Sequence, residues 1–301
     1  IINVKNINFS NYGYKKNLMK GEIFGKKFKS KFIKNFKSTN FELLDTGINA
    51  ELNIDKKTDE LITGSFKSRI LNTNLRFDFN YNEKEFNVYN SFLRGKDFSL
   101  KNQTLIVLDP FLDIRSKIEF DEFNYQLLQK INFSELHKYK DFVKKINMKN
   151  EINFKPKGFK LNPVDDIYIK IDLAYGRLSY SKFFFLLDAT VQCEGSINLF
   201  DEFPMLYFDC KILSANKKKL FKKFSINTKN KDERFELNVV GNLSLLNKKI
   251  NFNNILMNEN YKASKDDLEY FKISFEKIIY DKSFFEIFDL KKIKEFILEI
   301  S

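Results

Sequence analysis

The feature that most constrains this chain is an unbroken alternation of apolar and polar residues. Ile48-Asn49-Ala50-Glu51-Leu52-Asn53-Ile54-Asp55 alternates throughout, and so does Leu75-Arg76-Phe77-Asp78-Phe79-Asn80-Tyr81-Asn82. Ile167-Tyr168-Ile169-Lys170-Ile171-Asp172-Leu173 and Phe235-Glu236-Leu237-Asn238-Val239 follow the same pattern. Successive side chains of a strand point to opposite faces, so each segment has one apolar and one polar face. Antiparallel sheets read this way when one face meets apolar matter and the other meets water. Short polar segments at 55–60, 82–85 and 201–204 separate the strands. Connections this short favour hairpins, because a parallel crossover needs about a dozen residues. The pattern predicts seven or eight strands in series from about 28 to 120. A second set runs from about 150 to 214 and a third from about 233 to 256.

Helical spacing interrupts the strands in three places. Residues 121–147 carry Leu127, Leu128 and Ile131, then Ser134 as an N-cap before Leu136, Tyr139, Phe142, Val143 and Ile146. Residues 215–224 read as a short basic helix. At the C-terminus Ser264 can cap a helix whose first turn holds Asp266, Asp267 and Glu269, which suits the positive end of the helix dipole. Leu268, Phe271, Phe275, Ile278 and Ile279 form its stripe, and a further helix is predicted after Ser283. Such stripes pack a helix onto a sheet or, in the other reading, dock it on a membrane or partner. The fold class expected is mainly β: a long curved antiparallel sheet, groove-like, with helical insertions and a helical C-terminal tail. The organisation expected is an elongated sheet over residues 1–256, with the insertion near 121–147, and the tail over 257–301.

Composition removes several functions. With 43% hydrophobic and 31% charged residues, the chain can bury a core. One histidine, His137, and two cysteines leave no histidine-based metal cluster, and neither a Gly-rich phosphate loop nor His-Glu-x-x-His occurs. No catalytic residue, no metal and no cofactor is expected, so the chain is not read as an enzyme. The formal charge is +12, and residues 1–40 hold ten lysines against Glu22 alone. Further basic stretches lie at 130–160 and 217–223. Such surfaces attract phosphate in nucleic acid or lipid headgroups. Nearly all the cations are lysine, however, and arginine makes the bidentate contacts to bases and phosphates, so nucleic acid is not the expected partner. No run of about 18 apolar residues is present to span a membrane as a helix.

Cys193 and Cys210 lie in neighbouring strands, and a hairpin turning near 201–202 sets them opposite one another. Two buried free thiols and a cross-strand disulfide both fit, the latter pointing to an oxidising compartment. The apolar faces also leave two readings. A second layer covers them as a closed core, or they stay open as a groove for acyl chains.

The stretch from Phe41 to about Phe120 resembles the AsmA family of bacterial membrane-anchored periplasmic proteins. The resemblance is carried by Leu43-Leu44-Asp45-Thr46-Gly47-Ile48-Asn49-Ala50-Glu51-Leu52, by Thr63-Gly64-Ser65-Phe66, by Asn90-Ser91-Phe92-Leu93-Arg94-Gly95-Lys96 and by Asp109-Pro110-Phe111-Leu112. Later echoes are Glu194-Gly195-Ser196-Ile197-Asn198-Leu199-Phe200 and Val240-Gly241-Asn242-Leu243-Ser244. The resemblance implies a bridge-like lipid-transfer protein of the AsmA/TamB type, with an apolar β-groove that binds or moves phospholipid in support of outer-membrane biogenesis. It implies phospholipid acyl chains and other envelope proteins as partners. It also implies a periplasmic location, with anchorage to the inner membrane through an N-terminal segment outside this sequence. The alternative is a non-catalytic scaffold of the envelope. The residues expected to line the groove are Ile48, Leu52, Ile54, Leu75, Phe77, Phe79, Phe86, Val88, Ile197, Leu199, Phe235, Leu237 and Val239.

Overall fold

The structure, a computed structural model, describes residues 4–33, 35–124, 145–154, 166–186, 189–223, 226, 233–244, 246–247, 249–258, 260–279 and 290–299. It is mainly β, with short helices near the C-terminal end, as the alternation requires. The chain divides into two compact units, residues 1–121 and 122–301.

The first unit is built from strands. β1 (Val4–Ser10) and β2 (Leu18–Ile23) precede β3 (Lys26–Ile33), β4 (Ser38–Leu43), β5 (Ile48–Lys57) and β6 (Ile62–Ile70). β7 (Thr73–Tyr81), β8 (Glu85–Arg94), β9 (Phe98–Val107) and β10 (Asp113–Phe123) follow. Consecutive strands from β1 to β9 pair antiparallel, and β10 pairs with β9. β1 and β2 lie in the lysine-rich start of the chain, where asparagine and lysine obscure the alternation. The Asp45-Thr46-Gly47 segment is the β4–β5 turn. There Gly47 has φ +70° and the Thr46 hydroxyl donates to the Leu43 carbonyl at 2.7 Å. Asn90, at φ 49°, sits in a bulge of β8, and its side chain donates to Asp78 at 2.9 Å. One extra residue reverses the alternation, so Val88 and Leu93 share a face despite their odd spacing.

The second unit holds β11 (Asn147–Phe154), β12 (Asp166–Ala174), β13 (Arg177–Leu186), β14 (Ala189–Asn198) and β15 (Met205–Ser214). After α1 (Lys217–Lys223) come β16 (Phe235–Ser244), β17 (Lys249–Met257) and the two-residue β18 (Tyr261–Lys262). Consecutive strands again pair antiparallel. α2 (Lys265–Ile279) and α3 (Leu290–Glu299) close the chain. A reciprocal cap starts α2: the Asp267 N–H donates to the Ser264 hydroxyl at 3.2 Å, and the Ser264 N–H donates to the Asp267 carboxylate at 2.9 Å. The helical stripes pack on the sheet. Ile279, 1% exposed, joins Leu243 and Ile250, with Phe275, Ile278, Ile293 and Phe296 around them. At the other end of the strands α1 sets Leu220 against Ala189 and Phe235.

Two expectations need correction, and one open choice is decided. The predicted 121–147 helix fails at both ends, because 121–123 continue β10 and Asn147 opens β11. Its interior, with Ser134 and His137, lies outside the described residues. The helical tail begins at Lys265 rather than 257, because Met257 still pairs with Leu237 and Tyr261. Of the two readings left open for Cys193 and Cys210, the structure has the cross-strand disulfide. The two residues face each other in register with Cα atoms 4.0 Å apart.

Candidate functional site

Register assembles the apolar residues of the first unit on one face. Leu52 faces Phe66, and Phe66 faces Phe77. Ile54 faces Gly64, Gly64 faces Phe79, and Phe79 faces Val88. Ile48, Leu75 and Phe86 fall on the same face by alternation. Rings run across it continuously: Phe66–Phe77 at 5.0 Å, Phe77–Phe79 at 6.4 Å and Phe79–Phe86 at 5.5 Å between centroids. Of these predicted lining residues only Phe79 is buried. Its ring lies on Gly64, where a β-carbon would stand 2.9 Å from Phe79 Cζ. Ile48, Leu52, Ile54, Leu75, Phe77, Phe86 and Val88 are half-buried. Among the described residues this unit has no α-helix and no second sheet, and Phe28 and Phe79 are its only buried apolar side chains.

The opposite face is cationic. A cleft of about 950 Å³ over β3–β8 is lined by Lys29, Lys31, Lys67, Arg69 and Arg76, against the carboxylates Glu42 and Glu51. Lys29 pairs with Glu42 at 3.5 Å, and Arg76 lies over the Phe92 ring at 5.5 Å. The lysine clusters in the sequence pointed to Lys29 and Lys31. Lys67 and Arg69 come from β6 and Arg76 from β7, and only strand pairing sets them around one cleft with the β3 lysines.

In the second unit four rows of side chains cross β11–β17 on one face. They run Phe154–Ile167–Phe184–Val191–Ile212–Leu237–Met257, Ile152–Ile169–Lys182–Cys193–Cys210–Val239–Ile255, Asn150–Ile171–Tyr180–Gly195–Phe208–Gly241–Phe252 and Met148–Leu173–Leu178–Ile197–Leu206–Leu243–Ile250. Ile197 and Phe235 are buried, so both belong to closed packing rather than an open surface. Leu237 packs beside Phe235 and Leu220, and Val239 is half-buried. Leu199 lies past the end of β14 in a turn, where its N–H donates to the Gly176 carbonyl at 3.0 Å. Three of the five predicted residues here therefore lie in a core or a turn. The helices cover the β14–β17 part of the face. Over β11–β13 no described helix lies, and Ile152, Ile169, Ile171, Leu178 and Phe184 are half-buried.

No protein-family model, curated protein or solved structure matches this chain.

Lys182 is the single charged side chain in those four rows. Its ammonium lies 5.7 Å from the Tyr180 ring centroid and 5.5 Å from that of Phe184. Burial among apolar neighbours pulls its pKa down to about 8. The same desolvation pushes the Tyr180 phenol up to about 12. The sequence reading missed this pair. The available signal was parity: Leu178, Tyr180 and Phe184 point inward, so Lys182 must as well.

Proposed function

We propose that the chain is an AsmA-like periplasmic protein that binds or transfers phospholipid along an apolar β-sheet face, without catalysis, in support of outer-membrane biogenesis. One observation carries the reading: the apolar face across β5–β8 of the first unit is half-buried, with no helix and no second sheet over it among the described residues. A closed sandwich of this composition would bury Phe66, Phe77 and Phe86, yet all three are half-buried. Apolar burial contributes about 25 cal/mol per Å², so acyl chains can occupy such a face without directional bonds. Headgroups would remain at the polar margin. The Cys193–Cys210 disulfide supports an oxidising compartment such as the periplasm. Anchorage to the inner membrane by a segment outside this sequence and association with other envelope proteins belong to the same proposal.

The covered part of the second unit, β14–β17 under α1–α3, favours the alternative of an envelope scaffold. Mass spectrometry of lipid co-purifying with the protein under detergent-free conditions separates the two. Stoichiometric phospholipid is the expected result. A lipid-free, monodisperse protein would transfer the assignment to the scaffold.

A further inference from the structure

We infer that the apolar face over β11–β13 takes an acyl chain ending in a carboxylate, with the carboxylate held between Lys182 and Tyr180. The inference rests on the lipid-binding reading and narrows it to a fatty acid at this second face.

The chemistry of the pair points to that headgroup. Among the described residues the Lys182 ammonium has no acceptor and the Tyr180 hydroxyl has no hydrogen-bond partner. The two side chains stand two residues apart on one face of β13. An ammonium and a neutral phenol are both donors toward a third group. An ionised carboxylate is an acceptor only, with two oxygens, and matches a pair of donors. A lone ammonium held in an apolar sheet face is unfavourable unless something neutralises it. Disulfide sulfur beside it and the rings of Tyr180 and Phe184 do so only weakly.

The surroundings select the size of the headgroup and the rest of the ligand. Ile169 and Cys193 flank Lys182 across the strands, and Phe184 and Leu178 bound the pair along β13. In the rows of β12 and β14 no polar side chain stands ready for the hydroxyls of a glycerol or sugar, and Asn150 on β11, the one amide on this face, lies two strands from Tyr180. A bare carboxylate needs none. Around it Ile167, Ile169, Ile171 and Leu173 on β12 continue the apolar surface a hydrocarbon tail would cover. One charge on the protein matches one charge on the ligand.

The test compares oleate with oleyl alcohol, which has the same chain and no charge. Binding of both is measured by isothermal titration calorimetry to the full chain, to Lys182→Met and to Lys182→Arg. Wild type is expected to bind oleate at least about tenfold more tightly than the alcohol, in keeping with one charge-assisted contact. Lys182→Met should remove that preference while still binding the alcohol, with thermal stability unchanged or raised. Lys182→Arg should keep most of the preference. Equal binding of both ligands by wild type, or a preference that survives in Lys182→Met, overturns the assignment of Lys182 and leaves the lipid-binding reading intact. Failure of wild type to bind either ligand overturns the site altogether. Phospholipid in the co-purification experiment then decides separately whether the first unit's face still carries acyl chains.

Discussion

The ring of Tyr180 lies over Gly195, its direct partner on the neighbouring strand: a β-carbon on Gly195 would stand 2.7 Å from both Tyr180 Cε1 and its hydroxyl. The same arrangement recurs where Phe79 covers Gly64 and Phe208 covers Gly241. A glycine inside a strand weakens it, and an aromatic ring laid across the gap restores the contact. These three glycines belong to the stretches that carry the AsmA resemblance. Their place under rings gives them a packing role whatever the ancestry of the chain.

Gly195→Ala is therefore expected to destabilise the protein by about 1–3 kcal/mol, the usual range for forcing a methyl into a packed site. In a Tyr180→Ala background the same substitution should cost less, because the ring is gone and only the Tyr207 backbone carbonyl still crowds the added β-carbon. Urea unfolding of the four proteins in the cycle measures the difference. Equal costs in both backgrounds would show that the ring does not contact the glycine.

Phe77 and Phe79 sit two residues apart on one strand and should respond differently to a charge. Phe79 is 6% exposed, so Phe79→Asp buries an unpaired carboxylate and is expected to unfold the first unit. Phe77 is half-buried and stacks on Phe66 at its side. Phe77→Asp should fold, by circular dichroism, and carry markedly less co-purifying phospholipid. A folded Phe77→Asp protein with normal lipid content would remove Phe77 from the binding face.

The Cys193–Cys210 bond closes a loop of 17 residues in sequence separation. A cross-link of that length is worth about 3 kcal/mol on the chain-entropy scale. The double substitution of both cysteines by serine should lower the urea midpoint accordingly, and a reducing agent should have the same effect on wild type and none on the variant. No change in midpoint on reduction would indicate that the thiols are not joined in solution.

Strand alternation made most of this fold legible, because a period of two is visible without knowing which strands are neighbours. Antiparallel order was legible as well, since turns such as 82–85 are too short for anything but a hairpin. Burial was not. Ile197 and Phe79 look like Leu52 and Phe77 in sequence, yet the first two are buried and the second two half-buried. The register that assembles Lys31, Lys67 and Arg76 around one cleft also escapes a reading along the chain. So does the pairing of the cysteines, although placing them opposite one another needed only the turn at 201–204. Lys182 was hidden by habit more than by physics: a lysine in a strand is taken to point outward, and here parity places it inward.

The two perturbed groups on that face give stability a distinctive dependence on pH. Below about pH 8 Lys182 is protonated in the folded and unfolded chain, and the native state bears the full cost of the desolvated ammonium. Between about pH 8 and the ordinary lysine value of 10.5 the native chain has released that proton and the unfolded chain keeps it. The unfolded state then binds more protons, so stability rises with pH across this window, by at most about 3 kcal/mol. Tyr180 acts in the opposite sense. From 10.0 to about 12 the native chain keeps the phenol proton that the unfolded chain loses, so its contribution falls as pH rises. The two effects together place a local maximum near pH 10. Among the described residues no other titratable side chain lies in the four rows of that face, and Lys182→Met should leave only the fall above pH 10. Urea unfolding at pH 7, 8, 9 and 10 measures the rise directly. A wild-type profile that coincides in shape with that of Lys182→Met would mean that Lys182 keeps its ordinary pKa in the folded protein.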